Sequence, residues 1–198
     1  MRRFVILGHT QPPRGPIPLQ DAPGAGGRWD LLARCVTSGL LLSHGIREDT
    51  EVWLVLLQGP RVVRASGRTI KRLNPDERST LALLSKALEA QDVGSHESEP
   101  LPGLATSQRS LESVLDVVAR DGLLVWLRED APRGLESWTP TSGTHTFVLS
   151  DHRDPTALEQ EAIARHAGER LNLGPLALQA DQCITIVHNR LDRLGATL

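Results

Sequence analysis

Residues 148 to 156, VLSDHRDPT, set Ser150, Asp151 and His152 side by side where an apolar run gives way to a helix-prone one. A hydroxyl, a carboxylate and an imidazole at the end of a strand can serve two ends. Asp151 or Asp154 can cap the helix that follows by accepting from its orphan amides. Alternatively the loop meets a ligand, because open α/β sheets bind ligands beyond the carboxyl ends of their strands. A second polar group, Arg47, Glu48 and Asp49 in HGIREDT, stands beside another apolar run. Charged loops beside strands are ordinary, so the residue types alone do not single this one out. The third stretch, LNLGPLALQADQC at 171 to 183, joins a Gly-Pro turn to a helix that carries Cys183. Taken alone, Cys183 reads as a small buried hydrophobe.

Several other chemistries lack their residues. The chain has no Walker loop, GxSxG elbow or HExxH, and it contains no tyrosine. Its seven histidines are scattered. His145 and His152 are separated by a strand end, and Cys183 and His188, five apart on a helix, turn away from each other. No metal site is expected. The GAGG within the 10–27 loop follows a Pro-rich stretch instead of a strand, so it is not read as a dinucleotide loop.

The elements that must position these groups follow from periodicity. RRFVILGH reads as a strand and runs into a long Pro/Gly-rich loop; Trp29 to Ser43 reads as a helix and EVWLVLLQGP as a buried strand. RVVRASGRTIKRL reads as a hairpin. NPDERSTLALLSKALEAQ reads as a helix capped by Asn74 with Pro75 at its first position. Residues 91 to 107 read as a linker or exposed loop. SLESVLDVVARDG predicts a helix closed by Gly122. LLVWL and HTFVLS are strands, DHRDPTALEQEAIARHAGERL turns into a helix, and NLGPL is a short strand or turn. The last helix carries an apolar stripe at Ala180, Cys183, Ile184, Val187, Leu191 and Leu194. Strands alternating with helices predict an α/β fold, a mostly parallel sheet with helices on both faces. Loops leaving strand ends after Leu127, Leu149 and Leu173 are then the places for a ligand.

At 198 residues the chain suits one α/β domain, here taken as 1–198 with a basic hairpin extension at about 60–73. The net charge of -2 hides an asymmetry: residues 1–80 hold 12 Lys/Arg against 7 Asp/Glu, and residues 81–198 hold 10 against 17. Arg61, Arg64, Arg68, Lys71 and Arg72 fall in one twelve-residue stretch, which reads as either a phosphate-contacting surface or a solvated hairpin. Two distant cysteines, no run of membrane-spanning length and no signal-peptide core lead to the expectation of a cytoplasmic protein.

FVILGH, SHGIREDTEVWLVL, FVLSDH and above all LGPLALQADQCITIVHNRLDR, in this order over nearly the whole chain, resemble the archaeal tRNA pseudouridine-54 N1-methyltransferase family of the SPOUT class. The resemblance implies a C-terminal trefoil knot, S-adenosyl-L-methionine as cofactor, a homodimer and tRNA as partner. It gives a cofactor role to Leu127, to Ser150 where the family is expected to carry Gly, to Leu173, Gly174, Pro175, Leu176, Ala177 and Leu178, and to Cys183. Asp49 becomes the candidate for recognising or deprotonating the base, with Cys183 near the reacting methyl. Arg61, Arg64, Arg68 and Arg72 become candidate RNA contacts. The alternatives are a methyltransferase acting on a pseudouridine of ribosomal RNA and a non-catalytic RNA-binding relative.

Overall fold

The structure is a computed structural model that describes residues 1–195 except 14, 18, 20, 22, 23, 25, 26 and 91–96. Part of the 10–27 loop and the first six residues of the expected 91–107 linker therefore lie outside the described residues. Five parallel strands make the first part of an eight-stranded sheet: β10 (Glu169–Leu171), β8 (Gly122–Leu127), β9 (Thr144–Ser150), β1 (Arg2–Gly8) and β4 (Thr50–Leu56), in that spatial order. Beyond β4 the sheet continues antiparallel through β5 (Arg61–Ser66), β7 (Leu104–Gln108) and β6 (Ser98–Leu101). A small separate hairpin, β2 (Leu41–Leu42) and β3 (Gly45–Ile46), follows the first helix.

Alternation along β1 divides the core in two. Phe4 and Ile6 face one side, with α1 (Trp29–Leu40), α2 (Glu77–Glu89) and α5 (Ala180–Arg193); Val5 and Leu7 face the other, with α3 (Leu111–Asp121) and α4 (Ala157–His166). The α5 stripe packs as its spacing predicts, with Ala180, Ile184, Val187 and Leu191 buried. Leu194 departs from the stripe at 39% exposed, because α5 has already ended at Arg193. Trimming Ile184 to Ala would cost about 2–5 kcal/mol, as for other buried large-to-small changes.

Several expectations are corrected. Residues 98–108 form a hairpin where a linker was expected: SEPLPGLATSQ has little β-branched character, yet β7 is paired on both sides and buries Thr106 and Ser107. Its turn needs glycine, since Gly103 has φ +76 and a Cβ there would meet the Ile70 backbone at 2.2 Å. The 60–73 stretch is no appended hairpin, since β5 is bonded to β4 on one edge and β7 on the other. α2 is capped by Asp76, which accepts from the Ser79 amide at 2.9 Å, so Asn74 and Pro75 stay outside it. The first helix stops at Leu40, three residues before Ser43, where the chain turns into β2. Gly122 closes no left-handed cap: its φ of 167 is extended, and glycine is needed because a Cβ would lie 2.1 Å from the Thr144 carbonyl. Neither Asp151 nor Asp154 caps α4; Thr156 does so, in a reciprocal box with Glu159.

At the amino edge of the sheet, α5 is tied to β1 by ions. The buried Arg2 donates to Asp192 Oδ1 at 2.6 Å and bonds His188 Nδ1 at 3.0 Å, while His188 Nε2 bonds the Gly39 carbonyl at 3.0 Å. With one ring nitrogen donating to a carbonyl and the other accepting from a guanidinium, His188 must be neutral. Burial, then Arg47 and Arg2, push its pKa down to about 4 from 6.5. Burial opposes ionisation of Asp192, but hydrogen bonds from Arg47 and Arg2 outweigh it and hold that carboxyl at about 2. The His188 contribution is whole above pH 6.5 and is lost as pH falls towards 4, a difference on the order of 3 kcal/mol. That of Asp192 is lost only between 3.8 and about 2. Thermal melts should therefore be flat from pH 8 to 7 and fall steadily below 6.5. A His188→Gln variant should start lower at pH 7.5 and show a shallower slope; a slope equal to that of the wild type would remove His188 as its source.

Candidate functional site

Beyond the carboxyl ends of β8 and β9 lies a cavity of about 640 Å³. Its size suits a ligand of nucleoside dimensions. The strand ends supply Leu127, Leu149 and Ser150, and the segment between β10 and α5 supplies Leu173, Gly174, Leu176, Ala177 and Leu178. Ala180 and Cys183 enter from the first turn of α5. Of the residues expected to hold a cofactor, all but Pro175 line this one space.

Each wall has a local cause. The β10–α5 segment is anchored by Asn172, whose Nδ2 donates to the Ala131 carbonyl at 2.7 Å while its Oδ1 accepts the Gly174 amide at 3.2 Å. Gly174 has φ +125, a conformation that L side chains rarely adopt, with open space where a Cβ would sit. Ser150 turns its hydroxyl into its own loop, donating to the Arg153 carbonyl at 2.5 Å. Two further walls complete it: Arg28 and Leu31, at the start of α1 and far away in sequence, and Gln160 on α4 just after the 150–155 loop. Arg28 is left-handed at φ 40 and grips Asp30 with Nε and Nη2, both at 3.0 Å.

The cavity is apolar at its floor and charged at its rim. Leucines 31, 127, 149, 173 and 178 offer flat apolar contact, whereas Arg128, Glu129, Asp130, Arg153 and Asp154 stand at the mouth. Arg128 lies 4.5 Å over the Trp126 ring and bonds Asp130 and Gln160. Its hydrogen bond to Asp130 holds that carboxyl below the usual range. Cys183 is no nucleophile: burial, then Asp181, raises its pKa to about 11, so the thiol is neutral at working pH and serves as wall.

The structure separates two groups that the sequence reading combined. Asp49 precedes β4 at the amino edge of the sheet, level with Met1, whereas Ser150 is level with Leu7. At about 3.3 Å per residue, that places Asp49 roughly 20 Å from the cavity along the strands. There its carbonyl accepts the Arg2 amide at 2.8 Å and its carboxylate lies 3.5 Å from Arg2 Nε, which is the loop-anchoring role. It is therefore not a base acting at the cavity of its own chain. The basic stretch is also divided. Arg64 is held between Glu51 and Glu97 with its guanidinium 5.9 Å over Trp53, so it is not open to phosphate. Arg68 and Arg72 are exposed beyond the amino end of β4, whereas Arg61, paired with Leu56, stands at the cavity's edge of the sheet. Sequence reasoning missed Arg28, Leu31, Arg128 and Gln160. Only Arg128 had a signal, its place directly after the strand-end Leu127.

The family model described as "Putative SAM-dependent RNA methyltransferase" matches residues 1–196. The chain is similar to proteins named tRNA (pseudouridine(54)-N(1))-methyltransferase from Halobacterium salinarum, 45% identical, and Haloarcula marismortui, 46% identical, each alignment covering 98% of both chains. Among solved structures, Archaeoglobus fulgidus Nep1 bound to S-adenosylhomocysteine shares the fold at a TM-score of 0.67 and 16% identity, over 98% of each chain.

A neutral wall thiol predicts that Cys183→Ser keeps activity within about threefold of the wild type. Iodoacetamide at pH 8 should label Cys183 slowly, since only about one thiol in a thousand is ionised there. Labelling as fast as a free thiol, read by intact mass, would contradict the assignment.

Proposed function

The chain belongs to the SAM-dependent RNA methyltransferase family, and from that premise we infer that it methylates N1 of pseudouridine 54 in the T-loop of tRNA. The observation that carries the inference is identity of 45–46% to proteins of that name over 98% of both chains. S-adenosyl-L-methionine supplies a methyl carbon bound to a positively charged sulfur, and the cavity fits it on three counts. Its volume is adequate, its leucines can cover an aromatic base, and its rim carries the carboxylates Glu129, Asp130 and Asp154 beside Arg128 and Arg153. The protein's main task is positioning: a nucleophilic nitrogen must sit in line with the methyl carbon, in a space without competing water. Cys183, neutral and half-buried, offers no rival nucleophile. The N1 proton must leave to a base, and Glu129 or Asp154, at the rim, is better placed to take it than Asp49. Exposed Arg153 at the rim and Arg61 at the same edge are the arginines suited to RNA phosphate.

Two finer features belong to this reading. A trefoil knot is supported by the way the 128–143 loop is bonded from two sides. Leu171 and Asn172 accept from Arg128 and Leu135, and Arg190 of α5 donates to the Trp138 carbonyl at 3.1 Å. A homodimer is supported by Leu158 and Leu176, 79% and 73% exposed, on α4 and at the cavity mouth. No helix among the described residues is long and apolar enough to cross a membrane, which accords with cytoplasmic work on tRNA.

Incubation with S-adenosylmethionine and tRNA transcripts, with and without pseudouridine in the T-loop, should give methylpseudouridine only from the former on nucleoside mass analysis. Methylation confined to a ribosomal RNA fragment would move the substrate. Cofactor binding without any transfer would leave a non-catalytic relative. Because Leu176 is largely exposed, Leu176→Arg should fold normally yet weaken S-adenosylmethionine binding at least tenfold by placing a cation beside the sulfonium. Unchanged affinity by calorimetry would remove Leu176 from the site.

A further inference from the structure

His9 directly follows β1, and neither the core nor the proposed chemistry accounts for its ring. The side chain is 9% exposed. Its backbone N–H donates to Asp151 Oδ2 at 2.6 Å, and its Nδ1 lies 2.9 Å from Asp151 Oδ1. Across the ring, Nε2 lies 3.2 Å from Glu159 Oε2. The His9 carbonyl in turn accepts Gln58 Nε2 at 3.1 Å, so the main chain beneath the ring is fixed as well. Each ring nitrogen thus faces its own carboxylate, one on either side of the ring.

The two carboxylates belong to two walls of the cavity. Asp151, whose side chain is 2% exposed, shapes the loop after β9: Oδ1 also accepts the Arg153 amide at 3.0 Å, and Oδ2 lies 3.5 Å from His152 Nδ1. Its own amide donates to the Leu7 carbonyl at 3.0 Å. Glu159 shapes the start of α4, where Oε2 accepts the Thr156 amide at 2.7 Å; Gln160, the next residue, lines the cavity. Burial works against the Glu159 charge, but the Thr156 amide and His9 more than offset it and hold that carboxyl below its usual range.

We infer that His9 is a positioning residue: by gripping Asp151 and Glu159 at once, it fixes the 150–154 loop against α4 and so sets the shape of the cofactor cavity. The inference rests on the reading of that cavity as the S-adenosylmethionine site. Its two contacts differ in consequence. Asp151 is itself cavity wall and organises the loop, whereas Glu159 is one residue removed and retains its cap without the ring.

Two conservative variants separate them. In His9→Asn the amide nitrogen takes the place of Nδ1 and keeps the Asp151 contact; in His9→Gln it takes the place of Nε2 and keeps Glu159 instead. Calorimetry with S-adenosylhomocysteine should find the Asn variant within about threefold of wild type and the Gln variant weakened about tenfold or more, a change of about 1.4 kcal/mol. Melting temperatures of the two should be similar, since each loses one contact of the same kind. Equal affinity in both variants and wild type overturns the inference, as does equal weakening that tracks melting temperature, which is what a merely structural ring would give. The wild-type protein alone supplies a second measurement. Adding S-adenosylhomocysteine should slow amide hydrogen exchange at Arg153 and Thr156, the amides the two carboxylates hold, and unchanged exchange there also overturns it. A wild-type protein that binds no S-adenosylhomocysteine overturns the cofactor reading and this inference together; one that binds while both variants match it overturns this inference alone.

Discussion

The structure depends on β1, a strand buried along its whole length and hydrogen-bonded to β9 on one edge and β4 on the other. Two arginines open it, and strand alternation sends them to opposite faces of the sheet. Arg2 meets Asp49, His188 and Asp192 on the α5 side, while Arg3 meets Glu51, Asp121 and the Trp53 ring on the other. A one-residue slip would hand one arginine the other's carboxylates and set Met1 or Phe4 against the carboxylates left over. Of these pairs Arg3–Glu51 is the most buried, and removing one partner from a buried pair typically costs about 3–5 kcal/mol. The strand's register is thus fixed by charge at one end as well as by apolar side chains along its length.

A fixed β1 fixes the cavity at the opposite end. Its parallel neighbour β9 ends level with Leu7, so Ser150 and the loop after it emerge beside His9. β8 ends beside β9, and β10 pairs with β8 through Leu171 and Leu127. Three strand ends therefore open on one side, and the chain between β10 and α5 closes over them. The same α5 whose first turn contributes Ala180 and Cys183 to the cavity ends against Arg2 at the amino edge. The ion cluster at one edge and the ligand cavity at the other are joined by a single helix running between them.

Charge and neutrality are distributed accordingly. The amino edge holds its ions in pairs and a neutral histidine, and serves stability. The carboxyl edge keeps an apolar floor with a neutral thiol beneath a rim of mixed charges. A cationic sulfonium and an anionic RNA backbone make opposite electrostatic demands. A rim carrying Arg153 beside Asp154, above an apolar floor, can meet both within a short distance.

The sequence by itself determined the elements and the place of the site. Period-two and three-to-four patterns delimit β1, β4, β9, α3 and α5, and the carboxyl-end rule singles out the loops after Leu127, Leu149 and Leu173. The loop after Leu173 was legible as a strand end, whereas the roles of the individual residues from Leu173 to Cys183 came from the family resemblance of LGPLALQADQC. Hidden in the sequence were β7, whose burial comes from β5 and β6 on its two sides instead of from its own apolar content, and β6, the edge strand that pairs with it. Only the tertiary structure measured how far Asp49, before β4, stands from the cavity and brought Arg28 and Leu31 of the α1 start to it, since no local pattern records which helix start packs over which strand end. The same holds for His9: 142 residues separate it from Asp151, and a hydrogen-bond partner at that separation is decided by strand order alone.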